Sequence, residues 1–180
     1  MQIVWYIPMS YLLHRPKDQI EYPDLERCPN CGQKERLWGH GYYRRTLAEQ
    51  GPLPNLLIRR YFCPHCRKTV SLLPWFLLPR FQYSRATILE ALRRDLEGCK
   101  PLKIHSRQLV QSYRYLFMRN MNAIAAALRR LGWREAFPGE EKEKAISLVE
   151  RLESMLPGTA TTRVDQISDR TLSNFMALSL

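Results

Sequence analysis

The chain carries the motif CPNCG at residues 28–32 and a second copy, CPHCR, at residues 63–67. Each motif is a C-x-x-C knuckle, a tight turn that directs two sulfurs towards one point. Two knuckles together can enclose a tetrahedral Zn²⁺ ion with Zn–S distances of about 2.3 Å. The sequence therefore predicts one structural Zn²⁺ ion, held by Cys28, Cys31, Cys63 and Cys66.

Two other uses of these cysteines remain open. A redox C-x-x-C motif normally lies at a strand-to-helix junction in a βαβ pattern and needs no second copy. Disulfides are typical of secreted proteins, but the N-terminus lacks the charged region and cleavage site of a signal peptide. We therefore expect a cytoplasmic, nucleoid-associated protein with reduced cysteines, in which Cys99 and His65 lie outside the metal site.

The 31 residues between the knuckles have the pattern of a β-ribbon. Residues 37–45 and 56–62 are rich in aromatic and aliphatic side chains, which is typical of strands. Between them, residues 49–55 contain the Gly and Pro residues that reverse a chain. A third strand is expected at residues 68–72, directly after the second knuckle. The apolar residues 3–7 predict one more strand, which would pack on the ribbon.

Helices are predicted after the ribbon. Ser84 is a suitable N-cap for a helix that runs to residue 97. Ser106 can cap a second helix that runs to residue 119 or on to residue 131 and carries an apolar stripe on one face. A third helix is expected within residues 138–158, with acidic residues in its first turn where the helix dipole favours them.

These elements predict an α+β fold, a small four-cysteine zinc β-ribbon followed by an α-helical region. A hydrophobic strap, SLLPWFLLP at residues 71–79, leaves the ribbon, and its two Leu-Pro steps favour extended backbone. The predicted organisation is an N-terminal strand or arm with a linker (1–27), the zinc ribbon with its strap (28–80), a basic helical region (81–134), a C-terminal helix (138–158) and a Ser/Thr-rich tail with an apolar end (159–180).

The charge of the chain is concentrated in its middle. The formal net charge is +11, and residues 36–134 carry 19 of the 28 Lys and Arg residues but only 4 of the 17 Asp and Glu residues. Most of these basic residues are arginine, the side chain best suited to phosphate and guanine recognition. A basic middle with acidic flanks indicates a dedicated surface for a polyanion.

The pattern assigns candidate nucleic-acid contacts to both parts of this basic segment. Neighbouring arginines on the two predicted ribbon strands are expected to line one edge and contact phosphates. On the helix that follows Ser106, residues at i, i+4 and i+7 share one face, which could enter the major groove of DNA. The candidates are Arg44, Arg45, Arg59, Arg60, Arg67, Lys68, Arg107, Gln111, Arg114 and Arg119.

The chain also resembles a known group of proteins. The similarity runs through residues 28–119, about half of the chain, and is carried by CPxCG, GHGYYRR, IRRYFCPxC, SLLP and LLPRFxYS. It resembles the zinc-ribbon and helix-turn-helix proteins of bacterial insertion sequences, which include the N-terminal DNA-binding regions of some transposases. In that family a Ser-Arg pair opens the recognition helix, which the pair Ser106-Arg107 would match. About seven residues separate Gly98 from Ser106, where the family has room for another helix, so we expect a remodelled helix-turn-helix.

The resemblance implies duplex DNA binding and a role as an accessory or regulatory factor of a mobile element. Two alternatives stay open. The chain could be an RNA-binding zinc ribbon, or a protein adaptor that docks on a larger transposase or polymerase. An enzyme is not expected, because no catalytic motif appears and only 46 residues follow residue 134. No membrane partner is expected.

Overall fold

The computed structural model describes residues 2–5, 12, 19–49, 55–103, 105–130 and 132–155. Two compact units divide the chain, residues 1–83 and residues 84–180. The first, the ribbon unit, carries the β-strands, and the second, the helical unit, carries the helices. The predicted α+β class is confirmed.

The ribbon unit is a four-stranded sheet with the strand order β1-β4-β3-β2. Strands β2, β3 and β4 form the antiparallel ribbon, and β1 adds to its edge as a parallel partner of β4. The four strands are β1 (Gln2–Trp5), β2 (Trp38–Thr46), β3 (Asn55–Phe62) and β4 (Thr69–Pro74). The strand prediction is confirmed in position, whereas the parallel pairing of β1 was not foreseen.

The sheet buries apolar side chains on both faces because successive residues of a strand point to opposite sides. The face that we call the knuckle face holds one buried cluster, formed by Cys28, Leu37, Tyr61, Cys63, Val70 and Leu72. The opposite face, here the strap face, holds a second buried cluster, formed by Leu47, Leu56, Ile58, Leu73, Phe76 and Leu77. The ribbon unit therefore has two small cores and not one.

A β-bulge interrupts the pairing of β2 with β3. Gly39 lies opposite Tyr61, but two residues earlier on β3 Arg59 lies opposite Tyr42, so three steps on β2 match two on β3 and β2 carries one extra residue. Gly41 takes up the irregular backbone with a φ of +73°, a conformation that costs glycine no steric penalty. The bulge thereby brings Tyr42 to the same face as Arg59.

The strap packs back onto the ribbon from which it leaves. Its first residues complete β4, and the backbone N–H of Leu77 donates to the carbonyl of Pro74 at 3.0 Å to close a turn. Leu78 is buried, and its carbonyl and that of Phe81 both accept hydrogen bonds from the guanidinium of Arg45. The Leu-Pro segment is thus the cover of the strap face.

The helical unit contains α1 (Arg85–Leu96), α2 (Arg107–Arg130) and α3 (Glu141–Ser154). Both predicted serine caps are present. The backbone N–H of Thr87 donates to Ser84 Oγ at 3.3 Å, and that of Leu109 donates to Ser106 Oγ at 3.2 Å. Gly98 follows α1 with a φ of +77°, as expected of a helix C-terminus.

The three helices pack against one another, and α1 contacts both α2 and α3. The apolar residues on one face of α1 are buried, and so are those of α2 except for Leu109, which is half-buried. On α3, Leu148 is fully buried. The buried aliphatic and aromatic side chains are Ile88, Leu89, Leu92, Leu96, Val110, Tyr113, Phe117, Met121, Ile124, Leu128, Leu148, Val149 and Leu152.

The connection between α1 and α2 contains no helix in the residues described between positions 97 and 106. It is longer than the tight turn of a standard helix-turn-helix. In the described part of the chain no helix has the length and apolar character that crossing a bilayer requires. Parts of four predicted features lie outside the described residues: positions 6–7 of the first strand, 50–54 of the turn at 49–55, 156–158 of the C-terminal helix and the whole tail at 159–180.

Candidate metal centre and basic surfaces

The two knuckles have equivalent backbone structures. The backbone N–H of Cys28 donates to the carbonyl five residues later at 3.0 Å, and the N–H of Cys63 does the same at 3.0 Å. The residue after the second cysteine of each knuckle has a positive φ, which is +74° at Gly32 and +54° at Arg67. Cys28 and Cys63, the first cysteines, are both buried. The sheet therefore presents two copies of one turn to a shared point.

The four sulfurs form a single cluster, in which all lie within 4.8 Å of one another. Between the knuckles, the Sγ atoms of Cys28 and Cys66 are 3.7 Å apart and those of Cys31 and Cys63 are 3.8 Å apart. A tetrahedron of sulfurs at about 2.3 Å from a central Zn²⁺ ion has edges of about 3.8 Å. The donor set and its spacing therefore fit one tetrahedrally coordinated metal ion.

The same distances argue against disulfides in this cluster. A disulfide needs sulfurs about 2.05 Å apart, and all five cysteines are free thiols. No other group of three or more potential metal ligands occurs in the described residues. Cys99 and His65 are both exposed and neither belongs to the cluster, as the sequence predicted.

The pKa values of the thiols in the cluster differ. Burial raises the pKa of the Cys66 thiol, but hydrogen bonds from the backbone N–H of Lys68 and from neighbouring side chains outweigh it and lower the pKa to about 6. For Cys31 the backbone N–H of Gln33 lowers the pKa, yet burial and hydrogen bonds with the other cysteines raise it to about 11. Binding of a cation by all four sulfurs would displace the remaining protons.

The four ribbon arginines do not line one edge, because the pleat of the strands divides them between the two faces. Arg44 and Arg59 lie on the knuckle face, where Arg59 is opposite Leu72. Arg45 and Arg60 lie on the strap face. The single row of four side chains expected from the sequence is therefore replaced by two pairs.

The two arginines on the strap face are half-buried, unlike ordinary surface cations. Arg45 is committed to the carbonyls of Leu78 and Phe81, and burial lowers the pKa of its guanidinium. The Nε atom of Arg60 is buried and has no hydrogen-bond partner among the described residues. Arg45 is therefore a structural side chain and not an open surface contact.

The other basic residues of the ribbon are more open. Arg44 and Arg67 are exposed, and Lys68 is exposed with its Nζ atom 3.3 Å from Asn30 Oδ1. Arg59 is half-buried, and its guanidinium lies over the rings of two tyrosines at 4.7 and 5.4 Å from their centroids. Arg44, Arg59, Arg67 and Lys68 thus remain available as contacts for phosphate.

The candidate residues on α2 are all exposed, but they are not equivalent. Arg107, Gln111 and Arg119 project from the helix surface. Arg114 instead pairs with Asp95 of α1, with its Nη1 atom 3.3 Å from the carboxylate. The sequence showed both residues but not their contact, since nothing local links positions 19 apart. A ligand of Arg114 would have to compete with this ion pair.

A comparison with known protein families gives a match. Residues 28–110 match the family model described as a domain of unknown function, DUF6431. The matched segment begins at the first knuckle cysteine, includes strands β2 to β4 and α1, and ends in the first turn of α2. No curated protein and no solved structure shows significant similarity to this chain. The matched segment is therefore similar to the DUF6431 domain, and it contains all four candidate metal ligands.

Proposed function

We propose that the protein is a Zn²⁺-stabilised DNA-binding protein that acts as an accessory or regulatory factor. The observation that carries the proposal is the composition of α2. This helix of 24 residues contains five arginines and no Asp or Glu. Surface helices ordinarily mix both charge signs, so such a helix is suited to a polyanion.

The arginines of α1, in contrast to most of those on α2, are paired with acidic side chains. Arg93 makes ion pairs with Glu90 at 2.5 Å and Glu97 at 3.2 Å, and Arg94 lies 3.8 Å from Glu90. These charges are neutralised within their own helix. On α2 only Arg114 has an ion pair among the described residues, so α2 carries the larger uncompensated positive charge.

The exposed face of α2 also offers side chains that can distinguish bases. Arginine forms paired hydrogen bonds with guanine, and glutamine forms them with adenine. Arg107, Gln108 and Gln111 lie in the first turns of the helix, the part that enters the major groove in many helical DNA readers. Arg44 and Arg67 of the ribbon would contact phosphates and supply affinity without sequence preference.

The mobile-element setting of the proposal is supported by the resemblance of the ribbon motifs to proteins of bacterial insertion sequences. An adjacent transposase gene would strengthen it. A protein adaptor and an RNA-binding ribbon are the competing functions. Both can be separated from DNA binding in one set of measurements.

The test is fluorescence anisotropy with a duplex of random sequence, a single strand and a structured RNA, each titrated between about 50 and 200 mM salt. Arg119→Ala should weaken duplex binding and reduce the slope of log affinity against log salt by about one. Lys142→Ala, on exposed α3 surface outside the basic segment, removes the same charge and should leave the slope unchanged.

Selection of binding sites from a random duplex library distinguishes the proposed base contacts of α2 from the proposed phosphate contacts of the ribbon. Arg107→Ala should cost about 1–3 kcal/mol on the preferred sequences only, whereas Arg44→Ala should weaken all duplexes alike. Equal salt slopes for Arg119→Ala and Lys142→Ala would contradict the proposal. Tighter binding to structured RNA would favour the RNA-binding function, and no binding to any nucleic acid would favour the adaptor.

A further inference from the structure

Three aromatic side chains form a group on the strap face, at the end where β2 begins and β3 ends. Phe62 lies on the same face as Arg60, because the two are separated by two residues on β3, and Trp38 is the partner of Phe62 on β2. The ring centroids of Trp38 and Phe62 are 6.3 Å apart, and those of His40 and Phe62 are 5.7 Å apart. We call Trp38, His40 and Phe62 the aromatic patch.

The aromatic patch is open to solvent. Trp38 is 60% exposed, His40 is exposed and Phe62 is half-buried. Single exposed apolar side chains are ordinary on protein surfaces, whereas adjoining exposed rings mark binding sites. Neither the metal centre nor the exposed face of α2 accounts for this group of rings.

The strand ends that carry the aromatic patch are held in place. Leu37, which precedes Trp38, is buried, and its backbone N–H donates to the carbonyl of Leu25 at 2.9 Å. Phe62 directly precedes Cys63, one of the four clustered cysteines. The rings are therefore presented by a part of the sheet that needs little ordering when a ligand binds.

The charge of the sheet favours a polyanion as the ligand of the aromatic patch. Strands β2, β3 and β4 together contain four arginines and no Asp or Glu. Arg60 is diagonal to Trp38 across the strand pair, at a separation of about 7–8 Å that a long side chain can bridge. Among the described residues Arg60 has no ion-pair partner, and its buried Nε atom has no hydrogen-bond partner. An uncompensated cation thus lies on the face that carries the rings.

We propose that the aromatic patch binds single-stranded DNA, with one base stacked on the indole of Trp38 and a neighbouring phosphate contacted by Arg60. The proposal rests on the proposed function and extends it, because it adds unpaired DNA to the duplex as a ligand. Exposed rings that stack on bases and cations that follow the backbone are the means by which single-strand-binding proteins hold their ligand. A duplex cannot use the patch in this way, since neighbouring base pairs cover the faces of its bases.

The test is fluorescence anisotropy at fixed salt with two labelled strands of about eight nucleotides, within the range of known single-strand site sizes. One strand is thymidine DNA, which does not pair with itself, and the other is an abasic strand with the same phosphates and no bases. The wild-type protein should bind the thymidine strand about fivefold or more tightly, the smallest effect expected of one base stacked on an aromatic ring. Because the two strands carry equal charge, the ratio of their affinities measures stacking.

Three variants test the ring that stacks on the base. Trp38→Ala should bring the ratio of the two affinities to about one, and Trp38→Phe should keep most of the wild-type ratio. Tyr115→Ala removes an equally exposed ring from α2 and should leave the ratio unchanged. Zinc content and circular dichroism equal to wild type would show that the variants are folded.

Arg60→Gln tests the phosphate contact separately from the stacking. Both strands keep their phosphates, so both should bind more weakly, and each slope of log affinity against log salt should fall by about 0.7. The ratio of the two affinities should stay as in wild type. Lys142→Gln removes the same charge from exposed α3 surface and should leave both slopes unchanged. Unchanged slopes in Arg60→Gln would overturn the role of Arg60.

The patch proposal and the proposed function fail in different ways. Equal affinity for the two strands, or a ratio that survives Trp38→Ala, overturns the patch proposal and leaves duplex binding by α2 intact. The expected ratio in a protein that binds no duplex supports the patch and overturns the proposed function. Tighter binding of a uridine RNA strand, lost in Trp38→Ala, overturns DNA as the ligand of the patch. Absence of binding to every nucleic acid overturns both proposals.

Discussion

The ribbon unit and the helical unit differ in the interactions that stabilise their folds. In the helical unit, buried apolar residues recur along three helices that pack against one another, and Phe117 is fully buried. The ribbon unit divides its apolar residues between two faces, and the knuckle-face cluster includes Cys28 and Cys63. A short sheet with two small cores therefore depends on cross-links, here a candidate metal centre and the half-buried Arg45, whereas the helices depend mainly on packing.

The largest effect should follow removal of one knuckle sulfur. Structural Zn²⁺ in small modules contributes on the order of 10–16 kcal/mol of apparent binding free energy. Cys63→Ser should therefore lose the metal and unfold the ribbon unit, while the helical unit keeps its helices. Zinc analysis and backbone amide NMR spectra of the variant would measure both outcomes.

Cys99→Ser is the matched control, because Cys99 is exposed and lies outside the cluster. It should retain one zinc per chain and the wild-type spectrum. An unchanged zinc content or stability in Cys63→Ser would disprove the metal assignment. Loss of the helical signals as well would show that the two units do not fold independently.

A substitution of a buried residue in the helical unit should destabilise that unit and leave the metal bound. Phe117 is fully buried on α2, and truncation of a buried Phe to Ala typically costs about 3–5 kcal/mol. Phe117→Ala should lower the helical content and the thermal stability while one zinc per chain remains bound. Tyr115→Ala, two residues earlier on the exposed face, should change stability by no more than about 0.5 kcal/mol. Release of zinc from Phe117→Ala would contradict this expectation.

A smaller effect is expected at the neighbouring pair Arg44 and Arg45. Arg45→Ala removes charge-assisted hydrogen bonds to Leu78 and Phe81 and should destabilise the ribbon unit by about 2 kcal/mol. Arg44 is exposed, so Arg44→Ala should be neutral for stability and should weaken DNA binding. Urea denaturation followed by tryptophan fluorescence measures the first quantity, and anisotropy measures the second. Equal destabilisation by both variants would mean that Arg45 is not a structural cross-link.

The metal centre was predictable because its signal is local. A C-x-x-C spacing brings two sulfurs to one side of a turn whatever surrounds it, so two copies indicate a four-sulfur site. The serine caps at Ser84 and Ser106 were predictable for the same reason, since a cap bonds to an N–H three residues away. The apolar stripes of α1 and α2 follow from the helical repeat alone.

The roles of the ribbon arginines were not predictable, because each depends on partners far along the chain. Arg45 bonds to carbonyls 33 and 36 residues later. The extra residue at the β2 bulge places Tyr42, and not Gly41, opposite Arg59. A register error of one residue would send every side chain of the strand to the wrong face.

The amino-acid sequence by itself determined the four-cysteine cluster, the order of strands and helices and the basic character of α2, because these depend on spacings within a few residues. Only the tertiary structure decided that β1 pairs in parallel with β4, that Arg45 closes the strap face and that the guanidinium of Arg59 lies over the ring of Tyr42. Those features arise where separate segments meet. The contacts made there depend on which residues are paired across the strands and on which face of the sheet each side chain lies. The β2 bulge sets the pairing, and the pleat of the strands sets the face.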